Sequence, residues 1–299
     1  MLIALSGFGA SQLTLRSWRG YKPQFASFKG SLLGPTRIVR RENGIFMSIN
    51  PQVKNYWEQE ACGTGSYATG ELEGKSKEWY EAVENYRYQM EPFIHSVAQF
   101  TRHHGKTVLE VGVGAGTDHL QWARAGCNLF GVDLTDEAIA TTKRRFELYG
   151  QKSNLQRVDA EKLPFADGFF DVVYSWGVIH HSQNPESIIA EIHRVLKKGG
   201  MFIGMMYGRY SVDVLKLWVK HGLLKGRPFR TPSALVWNHV ESIGTKAYTV
   251  REIKDLLGLF ESKEAFKILT PYDTKYIPQP IARLLPNGLG WFIAFRAVK

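Results

Sequence analysis

Between Val108 and Gly116 the chain reads Val-Leu-Glu-Val-Gly-Val-Gly-Ala-Gly, and this stretch constrains the fold more than any other. An apolar run carrying one acid, Glu110, passes into glycines at three alternate positions, Gly112, Gly114 and Gly116. Glycine lets a backbone turn sharply and come close to a ligand where a Cβ would clash. A turn of this kind, from the carboxyl end of a strand into a helix, is where open α/β sheets bind nucleotides. Structural glycines in a tight turn look the same, so the flanking sequence has to decide.

The flanks alternate strand and helix. Thr107–Val111 reads as a short apolar strand, Asp118–Ala125 as a helix closed by Gly126, and Asn128–Val132 as a second strand. Thr135 caps a helical run that ends at Gly150, and Asn154–Val158 is a third strand. Phe170–Ser175 is apolar without alternation, the pattern of a strand buried on both faces. Asn184 as cap and Pro185 at the first position open a helix expected to run to Leu196 and end at Gly199–Gly200, before a fifth strand, Met201–Met206. This alternation implies a parallel sheet with helices on both faces. Gly208–Tyr248 then breaks the rhythm with helical, basic sequence. Thr249 and Glu252 form a capping box, and Ala265–Leu269 and Leu289–Ala297 are two further strand candidates.

Composition agrees with a globular protein. With 44% hydrophobic residues the chain can build a large core, and no apolar run approaches the roughly 18–20 residues that cross a bilayer. Two cysteines, Cys62 and Cys127, cannot make a disulfide framework, which points to a reducing, cytoplasmic compartment. The net charge of +10 is unevenly placed: residues 1–46 hold seven basic side chains and one acid. A uniformly basic nucleic-acid surface is therefore not indicated. That leader, with no clear element, reads either as an organellar transit segment or as sequence upstream of a start at Met47.

Three acids or polar groups follow successive strands. Asp133 ends the second, where a carboxylate can accept both hydroxyls of a ribose. Asp159–Ala160 follows the third, offering a carboxylate to an exocyclic amine and an amide to a ring nitrogen. Ser175–Trp176–Gly177 ends the fourth, at the middle of the sheet edge. Together they outline an adenosine-shaped site. The nicotinamide fingerprint fits less well, because its third glycine would fall at Thr117.

In these motifs the sequence resembles the class I S-adenosylmethionine-dependent methyltransferases, the broad group that includes ubiquinone- and menaquinone-biosynthesis enzymes and many small-molecule methyltransferases. The likeness is strong over Lys106–Gly204 and extends to the Leu163–Pro164–Phe165 and Phe170–Asp171 runs. It implies a Rossmann-like, seven-stranded, mostly parallel sheet with helices on both faces and an antiparallel last strand. It also implies S-adenosylmethionine as cofactor. Glu110, Gly112, Gly114 and Gly116 would line its methionine end, Asp133 would hold the ribose and Leu134 would pack on adenine. Asp159 and Ala160 would bond the adenine, and Ser175 and Trp176 would offer backbone contacts near the methionine.

The acceptor side is less defined. His180–His181 follows the fourth strand near the expected methyl, and an imidazole suits removal of a proton from a hydroxyl or phenol. The sequence does not choose between the two, and no metal constellation is visible beside them. No Asn/Asp-Pro-Pro-Tyr/Phe run follows the fourth strand and neither cysteine lies near, so a small molecule methylated on O, N or activated C is the expected acceptor. The alternatives are an RNA- or protein-modifying enzyme and an inactive cofactor-binding partner subunit. Residues 47–105 are expected to form a helical, aromatic-rich lid, with Tyr56, Trp57, Cys62, Tyr67, Trp79, Tyr80 and Tyr86. The core would occupy 106–299, with a substrate cap at about 208–248. Arg209–Arg230 in that cap carries six bases and one acid, suiting an anionic or lipophilic acceptor or an anionic membrane surface. Oligomeric state is not legible.

Overall fold

The computed structural model describes residues 49–299 apart from 60 and 62. The leader, the Met47 start and Cys62 lie outside the described residues.

Four helices precede the sheet: α1 (Asn50–Gln59), α2 (Ser66–Thr69), α3 (Lys77–Met90) and α4 (Ile94–Ala98). The alternating part follows as β1 (Thr107–Val111), α5 (Thr117–Arg124), β2 (Asn128–Asp133), α6 (Asp136–Leu148), β3 (Asn154–Arg157), β4 (Phe170–Trp176), α7 (Pro185–Val195) and β5 (Leu196–Tyr207). The chain then forms α8 (Val212–His221), α9 (Pro232–His239), α10 (Val250–Leu256), β6 (Ser262–Ile268), α11 (Pro271–Thr274), α12 (Gln279–Ala282) and β7 (Phe292–Val298). All seven strands join one sheet in the order β3-β2-β1-β4-β5-β7-β6. The pairs among β1 to β5 are parallel, and β7 runs antiparallel between β5 and β6. This is the Rossmann-like sheet with a reversed last strand that the alternation and resemblance implied.

Both faces of the central strands are buried. Val108, Tyr174 and Ile203 pack with Leu120 and Trp122 of α5 and Ile94 of α4 on one side. Their neighbours Leu109, Val173 and Phe202 pack with Ile188, Ile189 and Ile192 of α7 on the other. The two-residue side-chain period explains why β4 reads as continuously apolar. Helix entry follows the expected chemistry. Thr135 caps α6 by accepting from the Ala138 amide at 3.2 Å, and both halves of the Thr249–Glu252 capping box are made.

The end of α7 departs from expectation. Asn184 makes no capping bond; its amide nitrogen reaches Glu161 Oε2 at 2.8 Å instead. Nor does the helix run to Gly199–Gly200. The chain is already extended at Leu196, which pairs with Phe170, and the register shifts before Met201 meets Val172. Gly199, at φ 74°, sits in this irregular stretch, and its amide donates to the Lys299 carbonyl at 2.7 Å. The glycines thus serve a bulge that keeps β5 paired with the chain end, rather than a helix stop. The last strand starts at Phe292 because Asn287–Leu289 forms a 3-10 turn.

The aromatics before the sheet divide between core and surface. Trp79 and Tyr80 of α3 are buried; the Tyr80 hydroxyl donates to the Thr141 carbonyl at 2.7 Å, and the Arg145 guanidinium lies 4.7 Å from its ring centroid. Tyr67 is exposed, edge-on to Tyr86. In the segment after β5, α8 buries Val214 and Leu217 but leaves Leu215 and Val219 exposed. Among the described residues no helix is long and apolar enough to cross a membrane.

Candidate active site

The carboxyl ends of β1, β2, β3 and β4 open on one cavity. It lies where the strand order turns back, between β1 and β4, the place where open α/β sheets bind ligands. Glu110, Gly112 and Gly114 of the first loop, Asp133–Leu134, Asp159–Ala160, Trp176 and His181 all line it. Three expected residues do not. Gly116 begins α5 at φ 71°, where a Cβ would lie 2.9 Å from Thr142. Ser175 is fully buried, its hydroxyl donating to the Val111 carbonyl at 3.0 Å. His180 is also fully buried, its ring 4.0 Å from that of Tyr207.

Local geometry explains the sequence of the first loop. Gly112 stands at φ 84°, and a Cβ there would fall 2.2 Å from Val178 Cγ2. The second loop fastens the first: Asp133 Oδ2 accepts from the Gly114 amide at 3.1 Å. Asp133 Oδ1 accepts from the Thr135 amide and hydroxyl at 3.0 and 2.8 Å. Burial pushes the Asp133 carboxyl up despite these bonds.

Beneath this floor is a charged network. Asp118 accepts from Arg87 Nη2 at 2.6 Å, Tyr174 at 2.8 Å and Tyr88 at 3.0 Å. Burial alone would raise its pKa, but the Arg87 charge and the three donors hold it below the ordinary carboxylate range. Glu110 takes the opposite course. Burial and the nearby Asp118 charge push it well above that range, and it meets His119 Nδ1 at 2.9 Å. Burial lowers His119 to about 3, so that ring is neutral.

Helix α1 closes another side with Asn50, Val53 and Trp57. Asn50 Nδ2 donates to Asp159 Oδ2 at 3.1 Å and Glu161 Oε1 at 2.7 Å, while its oxygen accepts from the Gln183 amide at 3.0 Å. One asparagine therefore ties α1 to the loops after both β3 and β4.

The structure separates the two histidines. His181 reaches the cavity, with the Trp57 ring 5.3 Å away, whereas His180 lies behind it. Burial, then the neighbouring His181 and Lys246, hold His180 well below its ordinary range. His181 Nδ1 is 3.0 Å from both Thr245 Oγ1 and Ser242 Oγ, and its Nε2 is 3.3 Å from Glu241 Oε2. The segment after β5 thus touches the site through Glu241–Thr245. Among its basic residues, Lys246 comes to the edge of the site by donating to the Ser182 carbonyl, whereas Lys216 pairs with Asp213 and Arg230 meets His239.

Four of these residues escaped the sequence reading: Asn50, Arg87, Val178 and Glu241. The first three carry no motif. Glu241 does leave a trace, because it is the sole acid between Lys216 and Tyr248 in an otherwise basic segment.

Residues 109–204 match a family model described as a methyltransferase domain. That span runs from within β1 to within β5 and includes every loop that lines the cavity from the sheet. The chain carries a class I S-adenosylmethionine-dependent methyltransferase domain. A ubiquinone biosynthesis O-methyltransferase of Pseudomonas paraeruginosa is 25% identical over 188 residues, 58% of this chain and 78% of the relative. A sterol 24-C-methyltransferase of Saccharomyces cerevisiae is 32% identical over 126 residues, 38% of this chain and 33% of the relative. The YcgJ protein of Bacillus subtilis superposes with a TM-score of 0.46 at 19% identity, covering 69% of this chain and 98% of that one. The methyltransferase domain uses S-adenosylmethionine.

Proposed function

We propose that this methyltransferase alkylates a hydroxyl of a small, largely apolar molecule, with His181 at the acceptor. The observation that carries this reading is the position of His181. It is the histidine that lines the cavity, at the end of β4, beside the apolar walls of Trp57, Trp176 and Val178. The relatives named for quinone and sterol substrates support a small, lipophilic acceptor.

The cradle suits the cofactor. Gly112 lets the first loop pass against Val178 where a Cβ would clash, and the half-buried Asp133 carboxylate keeps room on Oδ2 to accept from a ribose hydroxyl. Glu110, Gly112 and Gly114 would hold its methionine end, Asp133 and Leu134 its nucleoside, Asp159 and Ala160 its adenine, and the Trp176 backbone would close the middle. Gly116 and Ser175 support this wall from behind. S-adenosylmethionine supplies an electrophilic methyl on sulfur. The protein's part is to align the acceptor oxygen and lower the cost of losing its proton, and alignment of this kind accounts for a large share of enzymatic rate enhancement. We assign residues 49–105 to a cover over the cofactor, anchored by Asn50, and residues 208–248 to the acceptor side, entering through Glu241–Thr245.

The test is a product search. The full chain, incubated with methyl-labelled S-adenosylmethionine and a lipophilic metabolite extract, should add one methyl to a hydroxyl-bearing species. His181→Ala should lower that turnover by 10²-fold or more, the scale of acid–base contributions, with cofactor affinity unchanged. Turnover at the wild-type rate in His181→Ala would remove His181 from the mechanism.

A further inference from the structure

We infer that His180, His181 and Glu241 form a binding site for one divalent transition-metal ion, Zn²⁺ in first place. One ligand atom from each of the three lies within 4.8 Å of the other two. The hydrogen-bond network shows why a cation belongs among them.

The Thr245 hydroxyl proton is committed to the Ser242 carbonyl, at 2.6 Å. Thr245 Oγ1 can then accept from His181 Nδ1, and Ser242 Oγ, also 3.0 Å from Nδ1, can accept from it or donate to it. The other nitrogen, Nε2, faces Glu241 Oε2 at 3.3 Å and makes no hydrogen bond. That carboxylate oxygen already accepts from the Tyr207 hydroxyl at 2.9 Å. His181 Nε2 and the carboxylate thus lie side by side with no hydrogen bond between them. His180 is the third group. It is fully buried, and neither of its ring nitrogens has a hydrogen-bond partner, a costly state for a buried imidazole. A cation placed among the three would be met by His181 Nε2, a Glu241 oxygen and one of the His180 nitrogens.

The donor set and its surroundings match known zinc chemistry. Two imidazoles and a carboxylate with an open fourth position are a common catalytic zinc set. Ligand atoms about 3.3 Å apart are what tetrahedral bonds of about 2.0–2.1 Å require. The His181–Glu241 separation already has that value, and binding draws the His180 ring in. The supporting contacts are also present: with an ion on Nε2, His181 Nδ1–H would donate to Thr245, and the Tyr207 hydroxyl donates to the carboxylate. Glu241 itself is held at φ 49°, a left-handed conformation that a non-glycine residue adopts at a cost. Lys246, the nearby positive charge, is fastened to the Ser182 and Gly244 carbonyls. Because His181 lines the cavity, the fourth position opens toward the acceptor. With the ion on Nε2, His181 would act on the acceptor through the ion, which would favour the ionised hydroxyl, and not as a base; that role rests on the function proposed above, whereas the site does not.

The experiment measures metal alone. The full chain, stripped with chelator and titrated with Zn²⁺ and Co²⁺ by calorimetry and absorption, should bind one ion per chain. Bound Co²⁺ should show the intense visible bands of a four-coordinate nitrogen–oxygen site. Glu241→Gln and His180→Phe should each weaken binding by on the order of 100-fold. His180→Phe keeps the packing on Tyr207 and removes no hydrogen bond, so its circular dichroism should match wild type. Absence of saturable binding to the wild-type chain, or wild-type affinity in either variant, would overturn the assignment. Neither cofactor nor acceptor enters this titration, so its failure would leave the product search unaffected.

Discussion

Asp118→Ala should cost about 3–5 kcal/mol of stability, the scale for removing one partner of a buried charge pair. Asp118 is nearly inaccessible and accepts from Arg87, Tyr88 and Tyr174. Without it, Arg87 keeps only the longer contact to Glu91, at 3.4 Å, and the buried Tyr174 and half-buried Tyr88 phenols lose their acceptor. The missing carboxylate also frees space under the first loop, because Asp118 lines the cavity. Thermal melting should fall by about 10 °C, taking roughly 2–4 °C per kcal/mol for a chain of this size. Asp118→Asn should fall between the two, since it keeps the shape and loses the charge. A melting temperature within a degree or two of wild type in Asp118→Ala would show that the network does not support the fold as drawn.

Gly112→Ala should damage the cofactor site directly. At φ 84° an alanine is strained by roughly 1–2 kcal/mol. Its Cβ would also fall 2.2 and 2.8 Å from the two Val178 methyls, and Val178 is too short and β-branched to swing clear. Overpacking of this kind costs about 1–3 kcal/mol. Part of the cost would be met by moving the loop, so affinity for S-adenosylmethionine should drop by about tenfold or more. Val178→Ala in the same chain should recover part of the loss, because it removes the atoms in conflict. A Gly112→Ala chain with undiminished affinity and melting temperature would show that the loop is not held against Val178.

Much of this was legible before any coordinates. The parallel sheet follows from the alternation of apolar runs with capped helices, and Thr135, Thr249 and Glu252 do what their spacing says. The cavity's sheet-side wall was legible too, since Glu110, Gly112, Asp133 and Asp159 sit at strand ends, where backbone direction alone places them on one edge. What stayed hidden depends on packing. Gly116 and Gly112 look alike in sequence, yet one accommodates Thr142 and the other Val178. Gly199–Gly200 looks like a helix stop, and only pairing with the distant Lys299 makes it a bulge. Asn50, Arg87 and Glu241 come from segments without a motif, and long-range contacts bring them to the site. The same contacts separate His180 from His181, which local sequence treats as equals.

The central claim is that S-adenosylmethionine occupies the cavity at the β1–β4 crossover with Asp133 on its ribose. Calorimetric titration of the cofactor into the wild-type chain and into Asp133→Ala tests it most directly. A hydrogen bond to a charged group is worth about 1.5–3 kcal/mol, and Asp133 also fastens the Gly114 amide. The account predicts one cofactor per wild-type chain and binding weakened about tenfold or more in the variant. Equal affinity in the two chains, or no binding to the wild type, would contradict it.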